Sequence, residues 1–165
     1  MLVENLILGC TAMAVCLSIQ CVVVTLLVKV LVKLRRKRQL KPSIFAASSV
    51  LIVSMLAMVV GNFVQMSIWA WLFVACGQFE EFRVAFYHSV VNFSTLGYGD
   101  IVMSEDRRLL GGLEAVNGVM MFGLTTGVLF TVLSVTVQRA LEERLGRDEE
   151  LLHQLEKAQR PGRRK

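Results

Sequence analysis

The sequence has little that could do covalent chemistry. Its only histidines are His88 and His153, and no serine–histidine–acid set or phosphate-binding loop accompanies them. The expectation is a protein that is not an enzyme, has no catalytic residue and uses no cofactor. Four cysteines are present, Cys10, Cys16, Cys21 and Cys76, and none forms a CxxC pair. Three of them share one apolar run, so they read as buried thiols, not as a disulfide framework or zinc site. Repeats and low-complexity segments are absent. Charge is also missing from long stretches: none from Leu6 to Val28, none from Ser43 to Phe79, and only Glu114 from Leu109 to Val137.

What fills those stretches is hydrocarbon. Of the 165 residues 55% are hydrophobic, and the mean hydropathy is +0.58. The apolar residues lie in continuous runs, unlike the short periodic stripes of a water-soluble domain. Each run has the ~20 residues that an α-helix needs to cross ~30 Å of hydrocarbon. Three transmembrane helices are therefore expected. The stretch from Phe82 to Leu96 is also mostly apolar, but at about 15 residues it is too short to cross. It carries Arg83 and His88 and leads directly into "STLGYGD", Ser94 to Asp100. Non-helical backbone survives at membrane depth only where protein buries it or water lines it. A re-entrant helix followed by an extended loop facing a pore satisfies that requirement.

The first run has no basic segment ahead of it and a long apolar core, so it is expected to be a transmembrane helix and not a cleaved signal. Basic residues follow it instead, in "KLRRKRQLK" from Lys33 to Lys41. The positive-inside rule puts that cluster in the cytoplasm, the N-terminus outside, and the basic C-terminal tail inside. The net charge of +5 then reports membrane orientation, and no nucleic-acid partner is expected. Pro42 and Ser43 open the second helix, which can run to about Ala75. Trp69 and Trp71 are expected at its outer interface. Four segments result: an N-terminal transmembrane helix over 1–32, a basic linker over 33–42, a pore module over 43–138, and a charged helical tail over 139–165.

The order of helix, short re-entrant helix, TxGYGD and helix resembles the pore module of potassium channels. The matching residues are Thr95, Leu96, Gly97, Tyr98, Gly99 and Asp100, with leucine where valine or isoleucine is more usual. The resemblance covers roughly Ser43 to Arg139, and the extra first helix makes the chain similar to a small bacterial three-span member. That helix lacks the spaced arginines of a voltage sensor. The resemblance implies an all-α membrane protein assembled as a homotetramer in a lipid bilayer of the plasma (inner) membrane. It implies passive conduction of K+. The carbonyls of Thr95, Leu96, Gly97 and Tyr98 would form the ion sites, and Gly97 and Gly99 would take left-handed conformations that let consecutive carbonyls face one axis. Each loop supplies a quarter of each oxygen ring, hence four chains. The ring of Tyr98 would pack behind the filter and hold its diameter.

Several positions depart from that pattern. Tyr87 and His88 stand where many such channels have two tryptophans bracing the filter. His88 leaves two readings open, a proton-sensitive filter or a neutral ring in a packed aromatic cuff. Val91 stands where some bacterial channels have a glutamate that pairs with the aspartate after the filter, so Asp100 needs another partner or water. Glu114, alone in its span, either braces the back of the filter, pairs with Arg107 or Arg108, or faces water at headgroup level. Asn117, one turn deeper, either lines a cavity or bonds across helices. Gly123 and Gly127 form GxxxG, a close-approach signature, while Gly118 and Gly123 are the candidate gating hinges by resemblance. Thr125 and Thr126 either line a polar cavity or bond to their own helix. In the tail, leucines 141, 145, 152 and 155 are loosely heptad and Gly146 interrupts them. A tetrameric bundle and an amphipathic helix lying on lipid are the alternatives. The tail is too short for a folded nucleotide- or calcium-binding domain. Beside the potassium channel stand two other readings: a poorly selective cation channel, and a non-conducting membrane scaffold.

Overall fold

The computed structural model describes residues 2–37 and 44–159. Four helices occupy them: α1 (Leu2–Lys37), α2 (Ile44–Ala75), α3 (Phe82–Phe93) and α4 (Arg108–Gln159). The described residues contain no strand. Pro42, Ser43, most of the basic linker's second half and the Pro161–Lys165 tip lie outside the described residues. Stretches of α1, α2 and α4, over Leu2–Val30, Ser48–Ala75 and Arg108–Gln138, are long and apolar enough to cross a membrane. Helix α4 passes Gly146 without a break, so the expected boundary near residue 139 is a change of composition within one helix. Leu141, Leu145, Leu152 and Leu155 are all exposed on it.

Helix α2 stops where the sequence gives the chain a left-handed residue. Gly77 has φ +68°; its N–H donates to Val74 O at 2.9 Å, and Gln78 N–H donates to Phe73 O at 3.0 Å. This pair of bonds is a Schellman motif, which satisfies carbonyls that the helix end would leave bare. The chain reverses over residues 76–81 and begins α3. Gln78 also accepts from Ser104 N at 3.0 Å and Ser104 Oγ at 2.8 Å, joining this turn to the loop on the far side of α3.

Helix α3 is wedged between α2 and α4, and α1 packs on α2 and α4 from the other side. The core where they meet contains Cys16 of α1, Trp69 and Phe73 of α2, Ala85 and Phe93 of α3, and Leu110 and Met121 of α4. Trp69 is 0% exposed, against the expectation of an interfacial position; Trp71 is the exposed member of the pair, its ring tilted against Phe82 with centroids 5.0 Å apart. The reason is rotational: residues two apart on a helix face different sides. Of the four thiols only Cys16 is buried, Cys10 and Cys21 lie on the outward face of α1, and Cys76 is half-buried. The expectation of uniformly buried thiols therefore fails within the chain.

Polar contacts at several levels tie α1 to the rest. At its N-terminal end Arg107 donates to Glu4 Oε1 at 2.7 Å and to Asn5 Oδ1 at 2.6 Å, and Asn5 Nδ2 donates to Asp106 O at 2.6 Å. Midway, Gln65 Nε2 donates to Gln20 Oε1 at 2.7 Å, and Gln20 Nε2 reaches Met58 Sδ at 3.2 Å. A polar amide inside hydrocarbon is tolerable because it finds such a partner. Gly61 makes room for it: a Cβ there would stand 3.1 Å from Gln20 Oε1.

Gly118 makes the tightest approach of the glycines among the described residues. A Cβ added to it would lie 1.9 Å from Phe93 O, a backbone atom at the end of α3. Gly9 faces the flexible end of Leu113, and Gly123 and Gly127 have open space within the chain. The GxxxG pair therefore brings no helix close within one chain. Substituting alanine at the three positions Gly118, Gly9 and Gly123 should separate these environments. Gly118→Ala is expected to destabilise by about 1–3 kcal/mol through overpacking, Gly9→Ala by less, and Gly123→Ala least. Thermal unfolding of the purified variants in detergent checks the order.

Candidate functional site: the loop after α3

The loop from Ser94 to Asp100 is built on the last turn of α3. Ser94 closes the helix, its Oγ donating to Val90 O at 2.7 Å. Thr95 N–H then donates to Asn92 O at 2.8 Å, Leu96 N–H to Val91 O at 3.0 Å, and Gly97 N–H to Val91 O at 3.3 Å. Three successive donors thus turn back toward the helix. No backbone hydrogen bond among the described residues uses the carbonyls of Thr95 to Gly99. Their oxygens stand free beside the C-terminus of α3, where the helix dipole is negative. An array of free carbonyls at a negative helix end attracts cations.

The backbone alternates along the loop. Thr95 has φ +59° and Gly97 and Gly99 have φ +58° and +73°. Left-handed residues at every second position rotate each peptide relative to the next, which is what lets consecutive carbonyls escape the alternation of a normal strand. Gly97 and Gly99 accept this conformation without a Cβ penalty. Thr95 does not, and it is the only non-glycine with positive φ among the described residues. The side chains of Leu96 and Tyr98 are exposed, Tyr98 at 67%. Among the described residues, little of the chain covers Tyr98.

Behind the loop, α3 and α4 supply its supports. Tyr87 Oη donates to Asp100 Oδ2 at 2.7 Å, so Asp100 has a partner although Val91 provides none. That bond holds the Tyr87 hydroxyl above its ordinary value. Asp100 Oδ1 also accepts from Ile101 N at 3.0 Å. His88 Nδ1 lies 2.9 Å from Ile101 O, and its Nε2 lies 3.0 Å from Asn92 Nδ2. A carbonyl only accepts and an amide nitrogen only donates. The ring that satisfies both is therefore neutral with its proton on Nδ1. Phe73 and Phe79 flank it, with ring centroids at 5.6 and 5.0 Å. Burial lowers the His88 pKa below the usual imidazole value, partly opposed by the Ile101 carbonyl and Asp100. These contacts favour the cuff reading of His88.

Glu114 is 0% exposed, which removes the headgroup reading. Nor does it pair with the nearby arginines, since Arg107 is bound to Glu4 and Arg108 to Glu105 at 3.2 Å. It hydrogen-bonds instead to Ser89 of α3, the helix that leads into the loop. Asn117 is fully buried beside Cys16, and neither its Nδ2 nor its Oδ1 has a hydrogen-bond partner among the described residues. Thr126 bonds to its own helix at Phe122 O, 2.9 Å. Between α3 and α4 a crevice of about 470 Å³ is lined by residues that include His88, Asn92, Arg108 and Gly111.

Sequence reasoning missed Ser89, Asn92 and Gly111. A Cβ on Gly111 would stand 2.7 Å from Asn92 Nδ2, so this glycine lets the Asn92 amide reach His88. The Gly111–Gly112 pair in an otherwise bulky apolar helix was the available signal. The described residues hold no cluster of acidic, histidine and cysteine side chains suited to a metal ion.

Residues 62–135 match the model of a family described as ion channel. That stretch is similar to ion channels. It runs from the middle of α2 through α3 and the loop into α4, just under half of the chain, and leaves α1 outside. No curated protein and no solved structure matches the chain. The family match and three helices of spanning length agree with a multi-pass membrane protein whose residues 62–135 are similar to ion channels.

The neutral His88 has a measurable consequence. A group whose native pKa is depressed contributes stability above its unfolded value of about 6.5, and that contribution is lost as pH falls through the native value. The unfolding temperature is expected to be flat above about pH 6.5 and to drop as pH falls from there toward the native value. His88→Gln should flatten the acid-side drop, as followed by circular dichroism.

Proposed function

We propose that the chain is a potassium-selective ion channel subunit, conducting K+ passively along the axis of a homotetramer. The single observation that carries this reading is the alternation of left-handed residues at Thr95, Gly97 and Gly99 combined with free carbonyls at the α3 C-terminus. A dehydrating K+ ion needs rings of oxygen to replace its water shell. The carbonyls of Thr95, Leu96, Gly97 and Tyr98 supply one quarter of each ring, and the Thr95 hydroxyl completes the innermost. The exposed Tyr98 ring finds its cover on an adjacent copy. The family match to ion channels supports the pore and leaves the ion to be decided by the loop.

The supports have roles in this reading. Tyr87 fixes Asp100 at the outer mouth, and His88 holds the segment after the filter through Ile101. Gly118 is a contact point with α3, so the bending position in α4 falls to Gly123, which nothing within its own chain crowds. The orientation follows from the basic residues after α1: N-terminus outside, tail in the cytoplasm, in the plasma (inner) membrane.

Full-length protein in liposomes, under mixed potassium and sodium gradients, tests the proposal. The reversal potential is expected to sit near the potassium equilibrium value. A robust current reversing near zero would make the chain an unselective cation channel. Absence of current at every membrane potential and pH tried, for protein shown to be tetrameric, would favour the scaffold. Gly97→Ala should abolish selective current, because alanine is strained at φ +58°.

A further inference from the structure

Ser89 sits 0% exposed in α3 with two polar neighbours from other helices. Its Oγ is 2.8 Å from Met66 O of α2 and is hydrogen-bonded to Glu114 Oε1 of α4. A serine hydroxyl carries one proton and can donate once. Met66 O is a carbonyl and can only accept, so the Ser89 proton goes to it. The contact with Glu114 then needs a second proton, and only the carboxyl can supply it. An ionised carboxylate would place two acceptors against the single hydroxyl and leave one contact without hydrogen.

The surroundings agree. Asn92 of α3 lies beside the same carboxyl, and no cation faces it among the described residues. Cys16 of α1 and Asn117 of α4 close the space as neutral groups. Both arginines near the top of α4 are engaged elsewhere. An unpaired charge buried in this way is among the costliest arrangements in a protein, and the neutral acid removes that cost.

We propose that Glu114 is held as a neutral carboxylic acid and, as hydrogen-bond donor to Ser89, is the positioning residue that fastens α3 to α2. The relay runs Glu114 O–H to Ser89 Oγ and Ser89 O–H to Met66 O. It crosses three helices and fixes the rotation of α3, on whose last turn the filter loop is built. Glutamine is the natural stand-in for this state, because its amide N–H can donate to Ser89 while remaining neutral. The assignment deepens the channel reading by naming what holds the pore helix, and its test does not depend on conduction.

Infrared spectroscopy of the full-length protein in liposomes at neutral pH reads the proton directly. A protonated carboxyl has a carbonyl stretch set apart from the amide bands. That band is expected in the wild type, absent in Glu114→Gln, and moved to higher frequency in Ser89→Ala. Unfolding and potassium flux are followed on the same samples. Glu114→Gln should behave as wild type, while Glu114→Ala should lower the folded-to-unfolded ratio by about tenfold, the size of one buried hydrogen bond lost. No band removed by Glu114→Gln would overturn the proposal, even if Glu114→Ala failed to fold. So would a glutamine variant as damaged as the alanine one. A wild type with the band and without potassium flux would instead sink the channel reading and leave the relay standing.

Discussion

Everything at the loop depends on the Val91 carbonyl. It accepts from both Leu96 and Gly97, and in doing so turns the donors of the loop toward α3. Once the donors are spent on the helix, the acceptors have nowhere to point but away. Residues Thr95 to Asp100 are all exposed within one chain, and irregular backbone among membrane-spanning helices persists only where protein or water covers it. The left-handed residues follow from the same constraint, because two right-handed steps in a row would turn a carbonyl back into the protein. The loop is thus one geometric solution to tying the N–H groups of Thr95, Leu96 and Gly97 to the helix while leaving a file of oxygens bare.

That solution is only as rigid as α3. A twelve-residue helix is too short to hold itself, since helix stability in such lengths comes from packing. The molecule meets this by surrounding α3 with polar fasteners in an apolar core. Tyr87 grips Asp100 at the end of the loop and His88 grips Ile101 just after it, Ser89 joins α2 to α4, and Gly118 admits the end of α3 against α4. Each fastener is local and directional where hydrocarbon contact is neither. In lipid there is little hydrophobic force between helices, so close backbone approach and hydrogen bonds set the arrangement. Helix α1 extends the same logic outward through Gln20, Gln65, Asn5 and Arg107.

The order of elements was legible in the sequence. Charge-free runs of sufficient length announced three helices, and α2 ends at Ala75 as expected. The short fourth run was readable because it fell below spanning length and preceded glycines at alternate positions. The left-handed conformations of Gly97 and Gly99 were expected, while that of Thr95 was not, since a β-branched residue gives no signal for positive φ. Side-chain partnerships were mostly illegible. Glu114 could be assigned to arginine, water or the back of the filter, because its rotation about α4 relative to α3 depends on how two helices cross. Trp69 looked like an interfacial residue for the same reason: hydropathy reports depth along a helix and not the direction a side chain faces.

Length, hydropathy and the placement of glycine therefore determined the elements, their order and the extended loop, because these follow from hydrocarbon thickness and backbone sterics acting within one segment. The tertiary structure alone decided which polar groups meet. Pairing Ser89 with Glu114 and Met66, His88 with Ile101, and Gln20 with Gln65 needs atoms far apart in the chain to approach within hydrogen-bonding distance. That condition is set by helix crossing and rotation, and no local pattern encodes either.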